Sequence, residues 1–554
     1  MVTGTSPDFY RDYYLDTEIP DLLPRLQKVR QVLADESAKL DALSGDGGNQ
    51  AAFIHEVIRQ VDHFLKDIRT IPERLSRFKG NIGSLAELMA NLKSQPLELD
   101  TLSVASVQTV FPRENASLGA QFIFRLQAFL ASFQEDYATM GSVYNGTQTA
   151  APLDVWVSVN DLMQSGVASG RDQAQMLKRM IDEYFSPETG IKVNLSLVNT
   201  ADALMQAIMG GKGPDVALFV PEATPVNLAM RGALTDLSTL PDFDEVGKRA
   251  LESAYIAYQY EGGTYALPET QTFQMMFYRK DIFEEMGLMP PQTWDEFYTV
   301  TSRLQKKHME VGVPESQSIF EMLLLQNGGN LYNDQLSATT LNTTAALTAF
   351  EIWTDLYLQY SLPLSFDFFN RFRTGEMPLG ITSYVMYSQL SVAAPELQNL
   401  WEMVPVPGVE RDGRIVRTQS CGGTGCVLLA DSSMQEEGWA FLEWWTRGEV
   451  QRQFGNEMEA VLGTAARYTT ANQEAFLLLP WSQEEKEQLL TSWEDVTDIP
   501  QTPASYYISR SLTNAFRKVV YNYNNPREVL GKYSADMNLE LQRKREEFGL
   551  EEGR

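Results

Sequence analysis

The stretch that decides the fold of this chain reads G-G-K-G-P-D-V-A-L-F-V-P-E at residues 210–222 and T-Y-A-L-P-E-T-Q-T-F-Q-M-M-F-Y-R-K-D-I-F-E-E-M-G at residues 264–287. The apolar run at residues 216–220 has the length and β-branched content of a buried strand. Open α/β sheets bind their ligands beyond the carboxyl ends of their strands. Phe219 and Glu222 lie at or just past this end, so both are candidate ligand contacts.

The second half of the stretch predicts that the chain passes from one sheet to another. Residues 265–267 have a strand pattern that Pro268 is expected to break, and residues 273–278 resume an extended run. A chain that leaves one sheet and immediately enters another is what a two-lobed protein with a hinge requires. Three further candidate site residues lie at this crossing: Glu269, Gln271 and Phe273.

Four motifs then follow one another in a recognisable order. They are G-P-D-V from residue 213, Y-A-L-P from residue 265, F-Y-R-K-D-I-F-E-E-M-G from residue 277 and P-Q-T-W-D-E-F from residue 291. In this order and spacing they resemble the extracellular solute-binding proteins of ATP-binding-cassette importers, and most of all the family-1, maltodextrin-binding-protein-like group that binds sugars. The likeness covers residues 153–548. The last of the four motifs also has the capping pattern of a helix start, which predicts a helix over residues 293–307.

This resemblance implies an α/β, two-lobed periplasmic-binding-protein-like (type II) fold with a hinge. The residue pattern before it predicts an additional α-helical domain. The helical domain is predicted to take residues 1–140, and residues 141–152 are expected to be a linker. The first lobe would comprise residues 153–268 and 421–463, and the second lobe residues 270–419 and 464–554. Alternating strand and helix patterns after residue 153 favour a mostly parallel sheet on their own account.

The first 140 residues have a different pattern from the rest. Leu22, Leu26, Val29 and Leu33 recur at helical spacing, and residues 122–140 are predicted to be an aromatic helix. A Gly-, Thr- and Pro-containing segment follows, which is typical of a linker. The N-terminal part is therefore predicted to be a helical bundle.

A sugar site needs aromatic faces that stack on pyranose rings and planar polar groups that pair with hydroxyls. By resemblance, Asn160 and Asp161 are polar contacts after the first strand, in W-V-S-V-N-D. Tyr384 and Tyr387 match the stacking aromatic of the second lobe, with tyrosine in place of tryptophan, and this difference leaves the sugar open. Gly422 is expected to let the backbone approach the ligand.

Each candidate also fits a purely structural role. Phe219 and Phe273 fit core positions of strands, and Glu222 and Glu269 fit charges at helix N-termini. Gly422 fits a simple bend. The sequence alone leaves both interpretations open.

Composition excludes several classes of ligand. The formal net charge of -28 argues against nucleic acid or an anionic membrane as a direct partner.

The start M-V-T-G-T-S-P-D-F-Y lacks the basic and apolar regions of a signal peptide. We therefore expect a natural chain that begins earlier, with an export signal and an anchor. The protein would then be extracellular, with a tether to the outer face of the cell membrane as its only membrane contact.

The two cysteines, Cys421 and Cys426, lie in C-G-G-T-G-C. Without further ligands nearby, this motif excludes a zinc site and a disulfide framework. Free thiols and a single bridge both stay open. No metal and no cofactor are expected.

These features predict a non-catalytic, monomeric receptor that captures an oligosaccharide between two lobes and delivers it to the permease subunits of the transporter. No catalytic residue is assigned, since no nucleophile motif or phosphate loop occurs. Two alternatives stay open. One is a sensor or scaffold that signals through the N-terminal helices, and the other is a glycoside hydrolase that uses a carboxylate pair.

Overall fold

The computed structural model describes residues 15–44, 49–71, 139–140, 151–158, 170–198 and 202–550. Contacts divide the chain into two units, residues 1–95 with 367–373 and residues 96–366 with 374–554. Within the described ranges, no helix combines the length and the hydropathy that crossing a membrane requires.

The described part of the first unit is helical. Its elements before residue 72 are Leu15–Glu18, Leu22–Ser44, Asn49–Lys66 and the 3-10 turn Ile68–Thr70. The two long helices pack together, with Leu26, Val61 and Phe64 in a small core, and Arg30 forms an ion pair of 2.8 Å with Asp62. Helices here match the prediction of an N-terminal helical domain. Of the aromatic helix predicted at residues 122–140, residues 122–138 lie outside the described part.

Two main sheets and their covering helices form the second unit. The strands are β1 (Thr139–Met140), β2 (Leu153–Ser158), β3 (Val193–Val198), β4 (Val216–Pro221), β5 (Gln259–Tyr260), β6 (Gly263–Thr264), β7 (Leu267–Thr272), β8 (Gln274–Arg279), β9 (Val311–Gly312), β10 (Leu379–Ser383), β11 (Trp401–Val404), β12 (Val409–Arg411), β13 (Arg414–Val416), β14 (Gln419–Ser420), β15 (Gly422–Leu428) and β16 (Val496–Thr497).

Among the described residues, the helices of the second unit lie between these strands in the sequence and after the last of them. The α-helices of the second unit are Gly170–Met180, Ser186–Thr189, Asp202–Met209, Pro225–Ala229, Phe243–Val246, Lys280–Met286, Trp294–Gln305, Gln317–Gln326, Thr344–Leu358, Met386–Ala393, Gln435–Trp445, Gly448–Leu462, Gln473–Leu478, Gln483–Glu494, Ser505–Asn522 and Pro526–Glu547. The helix Phe368–Thr374 belongs, up to residue 373, to the first unit. Shorter turns are the π-helical Ile181–Phe185 and the 3-10 segments Leu237–Thr239, Gly247–Arg249, Glu252–Tyr258, Pro395–Leu397 and Thr464–Ala466.

The first lobe is built on a sheet with the order β1-β3-β2-β4-β15-β7. β2 is parallel to β3 and β4, whereas β15 runs antiparallel to β4 and β7. Strand β4 is buried along its apolar run, as its composition predicts, because helices cover both faces of a parallel sheet. The sequence predicts helix up to residue 140, but Thr139–Met140 is strand β1, since its main chain pairs with the edge of β3.

The second lobe is built on a smaller sheet with the order β11-β8-β10-β9. Its core is rich in aromatic side chains, among them Phe320, Phe350 and Trp353. The helix Trp294–Gln305 begins as its sequence predicts, because the Thr293 hydroxyl accepts a hydrogen bond of 3.3 Å from the main-chain N of Glu296. Each lobe thus has its own hydrophobic core.

The chain crosses between the lobes at Phe273, which alone separates β7 from β8. Pro268 does not break the strand as expected. It lies inside β7, beside a register irregularity with β15, and β7 is the last strand of its sheet. An edge position tolerates proline because no ladder donor is required there.

Two more segments join the lobes. Cys421 alone separates β14, which pairs with β16, from β15 of the first sheet. Further on, residues 469–471 run beside β7: the Thr469 carbonyl accepts from Gln271 N, and Ala471 N donates to the Glu269 carbonyl, both at 2.9 Å. Several strands of backbone therefore pass between the lobes, which is the arrangement of a hinge.

Candidate functional site

A cavity of about 560 Å³ lies between the two lobes. Its first-lobe wall is the segment that follows β4, from Glu222 to Arg231. Its second-lobe wall comes from the helix Gln317–Gln326, from residues 498–509 and from the last turns of the chain, with Lys544 and Phe548. Polar groups of both lobes and aromatic rings of the second lobe therefore face one space.

A second cavity of about 320 Å³ adjoins the first, and Gln501, Thr502 and Pro503 line both. Tyr260, at the end of β5, and Glu261, in the turn that follows, belong to its wall together with second-lobe residues. The cleft is therefore longer than one chamber, which suits an extended ligand.

Glu222 is the predicted site residue that lines the main cavity. It follows β4 directly, and its main-chain N donates a hydrogen bond of 3.3 Å to the carbonyl of Gly423. Gly422 lies next to it, since a Cβ placed on Gly422 would be 3.9 Å from Oε2 of Glu222. These two predicted residues are brought together at the carboxyl end of β4.

Phe219 and Glu269 lie in the first-lobe interior. Phe219 is fully buried against Trp445, with ring centroids 6.0 Å apart, and has a φ of 56°. Glu269 is fully buried as well, and its two oxygens accept hydrogen bonds from Phe219 N at 2.5 Å and Trp445 Nε1 at 2.6 Å. That either residue contacts the ligand stays a prediction. In this structure the Phe219 ring packs against Trp445, and both Glu269 oxygens accept hydrogen bonds from protein groups.

The hinge region holds three other predicted residues in one network. Gln271 donates to Cys421 Sγ at 3.2 Å and accepts from Trp493 Nε1 at 2.5 Å. The Tyr384 hydroxyl donates to the Gln271 carbonyl at 2.8 Å, and the Phe273 ring lies 4.9 Å from the Tyr384 ring. All three predicted residues are buried, so the network fixes the crossing between the sheets.

Tyr387 is half-buried in an aromatic group with Trp401 and Trp481. The Arg467 guanidinium lies over the rings of Tyr387 and Trp481, at 5.3 Å and 4.5 Å from their centroids. The structure therefore does not bring Tyr387 together with Glu222 on the cavity wall. Asn160 and Asp161 lie outside the described residues.

Sequence reasoning missed several residues of the cavity wall: Glu321, Asp498, Tyr332, Tyr506 and Phe548. Glu321 had a usable signal, because it is a charge inside the apolar run I-F-E-M-L-L-L. Tyr506 is 77% exposed, as a stacking surface at the cavity would be. Asp498 and Phe548 had none, since only the tertiary structure brings these distant segments together.

The carboxyl groups of the cavity have raised pKa values. Burial raises the pKa of Glu222 well above its ordinary value, and the negative charges of Asp498 and Glu321 raise it further. Burial likewise raises the pKa of Asp498 to about 7. The hydrogen bond from Ile499 N lowers this pKa, whereas the charge of Glu321 raises it. The site therefore favours neutral or hydrogen-bonded carboxyls over free charges.

Both cysteines are free thiols, which resolves the alternative that the sequence left open. Among the described residues, no group of acidic, cysteine or histidine side chains is arranged to hold a metal ion. Burial raises the pKa of the Cys421 thiol well above its ordinary value. Cys421 is therefore a neutral part of the cavity wall.

Two α/β lobes joined by backbone crossings, with a polar cavity between them, define a two-lobed solute-binding protein. The model of the family described as bacterial extracellular solute-binding protein matches residues 168–452, and this chain belongs to that family. A second model, described as bacterial solute-binding protein, 4-helix bundle domain, matches residues 1–95. The predicted family and the additional N-terminal helical domain are both confirmed.

Individual proteins show the same likeness. The maltotriose-binding protein of Pyrococcus abyssi is 22% identical over 296 residues, which are 52% of this chain and 63% of that protein. This chain thus spans less than two thirds of that relative's length.

Solved structures are similar at the level of the fold. MalE, the sugar-binding protein of Xanthomonas citri, gives a TM-score of 0.61 at 17% sequence identity. The match covers 73% of this chain and 100% of the MalE chain. The GacH receptor of Streptomyces glaucescens gives a TM-score of 0.57 at 18% sequence identity. The match covers 71% of this chain and 99% of the GacH chain. These structures confirm the two-lobed α/β fold.

Proposed function

We propose that this protein is the substrate-binding component of an ATP-binding-cassette importer, which captures an oligosaccharide in the cleft and delivers it to the permease. One observation carries the proposal: carboxyl, amide and aromatic groups of two separate lobes line a single cavity of about 560 Å³. Such a wall offers ring faces for stacking and planar polar groups for hydroxyls, as sugars require. Names of relatives support the choice, since one is a maltotriose-binding protein.

In this proposal Glu222 contacts the sugar from the first lobe, and Tyr506 and Tyr332 contact it from the second. The Glu222 carboxyl pairs with hydroxyls, and the exposed Tyr506 ring stacks on a pyranose face. Gln271, Phe273 and Tyr384 act at the hinge, through their buried network. Phe219 and Glu269 support the strand end that carries Glu222.

The cellular setting follows from the same proposal. An importer receptor works outside the cytoplasm, so we propose an exported, membrane-tethered monomer that hands its sugar to the permease. The family name, with its word extracellular, supports the location. The permease and the tether are the partners that this proposal adds.

A thermal-shift screen against a glycan panel tests the ligand class. A true ligand at 100 times its dissociation constant should stabilise the protein by about 2.7 kcal/mol, which is a visible shift in Tm. Maltooligosaccharides and β-linked oligosaccharides of matched length form the two arms. No shift with any neutral oligosaccharide would contradict the proposal.

The same samples separate a receptor from a hydrolase. After incubation with the bound oligosaccharide, chromatography should recover it intact. If shorter products accumulate and Glu222→Gln or Asp498→Asn stops their formation, the protein is a glycosidase. Intact recovery supports the receptor.

A further inference from the structure

Carboxyl groups from the two lobes meet across the cleft. Glu222 stands on the first-lobe wall, and Glu321 and Asp498 stand on the second-lobe wall of the same cavity. The oxygens of Glu321 accept hydrogen bonds from Ser420 Oγ at 2.9 Å and Gln317 Nε2 at 2.6 Å. Asp498 accepts a hydrogen bond of 2.7 Å from Ile499 N. Ionisable carboxyl groups of the two lobes thus line opposite walls of one cavity.

The cations of the cavity wall are engaged elsewhere. Arg231 donates to the Asn227 carbonyl at 2.5 Å, and its guanidinium lies 5.5 Å from the centre of the Phe548 ring. Lys544 forms an ion pair of 2.7 Å with Glu547. Tyr258, Cys421 and Tyr332 are further titratable groups near the carboxyls. Burial raises the pKa of each, and the charges of nearby cavity carboxyls raise it further.

Asp498 also reaches the hinge. Its carboxyl interacts with the Cys421 thiol, which lies at the crossing between β14 and β15. Cys421 Sγ in turn accepts a hydrogen bond of 3.2 Å from Gln271, on β7. Through these contacts, a change in the charge of Asp498 acts on two of the backbone crossings that must bend in a hinge motion.

We propose that this cleft is a proton-controlled closure device, in which neutral Glu222 and Asp498 let the lobes rest together and their ionisation drives the lobes apart. Opening exposes both carboxyls to water, and water stabilises their charged forms. The open form therefore binds fewer protons than the form seen here. By linkage, a rise in pH shifts the population towards the open form.

The pH window follows from Asp498. Burial raises its pKa to about 7, so the shift should occur between weakly acidic and weakly alkaline conditions. Glu222 acts in the same direction, since burial and the charges of Asp498 and Glu321 raise its pKa as well. No ligand is needed for this response, and its test does not depend on the proposed sugar.

Small-angle scattering of the full chain without ligand, at about pH 5.5 and about pH 8.5 and constant ionic strength, tests the device. The parent should have a larger radius of gyration at the higher pH. The double variant Glu222→Gln/Asp498→Asn should keep the smaller radius at both, because amides do not ionise. The N-terminal unit is identical in both proteins, so the difference between them isolates the cleft.

A matched control removes two exposed carboxylates instead, as Glu410→Gln/Asp412→Asn on β12 and its turn. That variant should expand like the parent. If the first double variant fails to fold, Asp498→Asn alone should still reduce the pH-dependent expansion. An unchanged parent radius, or equal expansion of parent and Glu222→Gln/Asp498→Asn, would overturn the proposal.

Discussion

Oε2 of Glu269 accepts a hydrogen bond of 2.5 Å from the main-chain N of Phe219, which has a φ of 56°. Positive φ is rare for a bulky side chain, and it persists only where surrounding structure enforces it. The contact joins β7, next to the hinge, to β4, whose end carries Glu222. Glu269 therefore fixes the backbone that aims a cavity carboxyl, from a fully buried position.

Glu269→Gln should destabilise the protein by about 1–3 kcal/mol, because one carboxyl oxygen becomes an amide donor that faces a buried N–H. Chemical denaturation of the parent and the variant measures the difference. Glu410→Gln, on the exposed strand β12, is the matched control and should be neutral. Equal unfolding free energies for Glu269→Gln and the parent would show that the contact has no structural weight.

Asp498→Asn should change the pH dependence of stability. In the folded parent the pKa of Asp498 is about 7, above its ordinary value of 3.8. A raised folded-state pKa contributes stability below the unfolded pKa, and this contribution is lost as pH rises through the folded pKa. The free energy of unfolding of the variant should therefore rise relative to that of the parent between about pH 4 and pH 7, by at most about 4 kcal/mol.

Thermal melts of both proteins at several pH values, in buffers of equal ionic strength, check this outcome. Asn keeps an oxygen that can accept from Ile499 N, so the local fold should survive. A melting temperature that follows the same pH curve in both proteins would refute the raised pKa.

Two neighbouring glycines should respond differently to alanine. A Cβ on Gly423 would overlap the carbonyl oxygen of Thr270 on β7 and lie 3.1 Å from its carbon. A Cβ on Gly422 would meet nothing closer than 3.7 Å. Gly423→Ala should therefore cost about 1–3 kcal/mol of stability through overpacking, and Gly422→Ala should cost little.

Urea unfolding of the two variants decides this, since they differ by one position in the same strand. Gly422→Ala is also informative about ligand contact, because its new methyl would lie beside Glu222. Comparable stability losses in both variants would mean that β15 is not held tightly against β7.

Tyr506→Ala should weaken oligosaccharide binding by tenfold or more, about 1.4 kcal/mol, while stability stays near that of the parent. The ring is 77% exposed and lines the cavity, so its loss removes a stacking face without opening the core. Tyr523→Ala is the control, because Tyr523 is 81% exposed but not on the cavity wall. Calorimetric titration with a sugar from the glycan screen gives both affinities. Equal affinity in the two variants would exclude stacking on Tyr506.

Local patterns were enough for the architecture. The buried run of β4, the passage from one sheet to the next near Phe273 and the cap at Thr293 each depend on neighbouring residues, so the sequence predicted them directly. Even here, the prediction that Pro268 breaks the strand was wrong, because β7 is an edge strand and an edge strand tolerates proline. Edge position is a property of the sheet.

The site divides along the same line. By itself the sequence placed Glu222 after a strand end, since strand ends are local, and the structure has it on the cavity wall. Only the tertiary structure decided that Glu269 lies inside the lobe, and that Glu321, Asp498 and Tyr506 share a cavity with Glu222. The physical reason is that desolvation and the interaction of charges depend on distances in space, and residues hundreds of positions apart come together only when both lobes have folded.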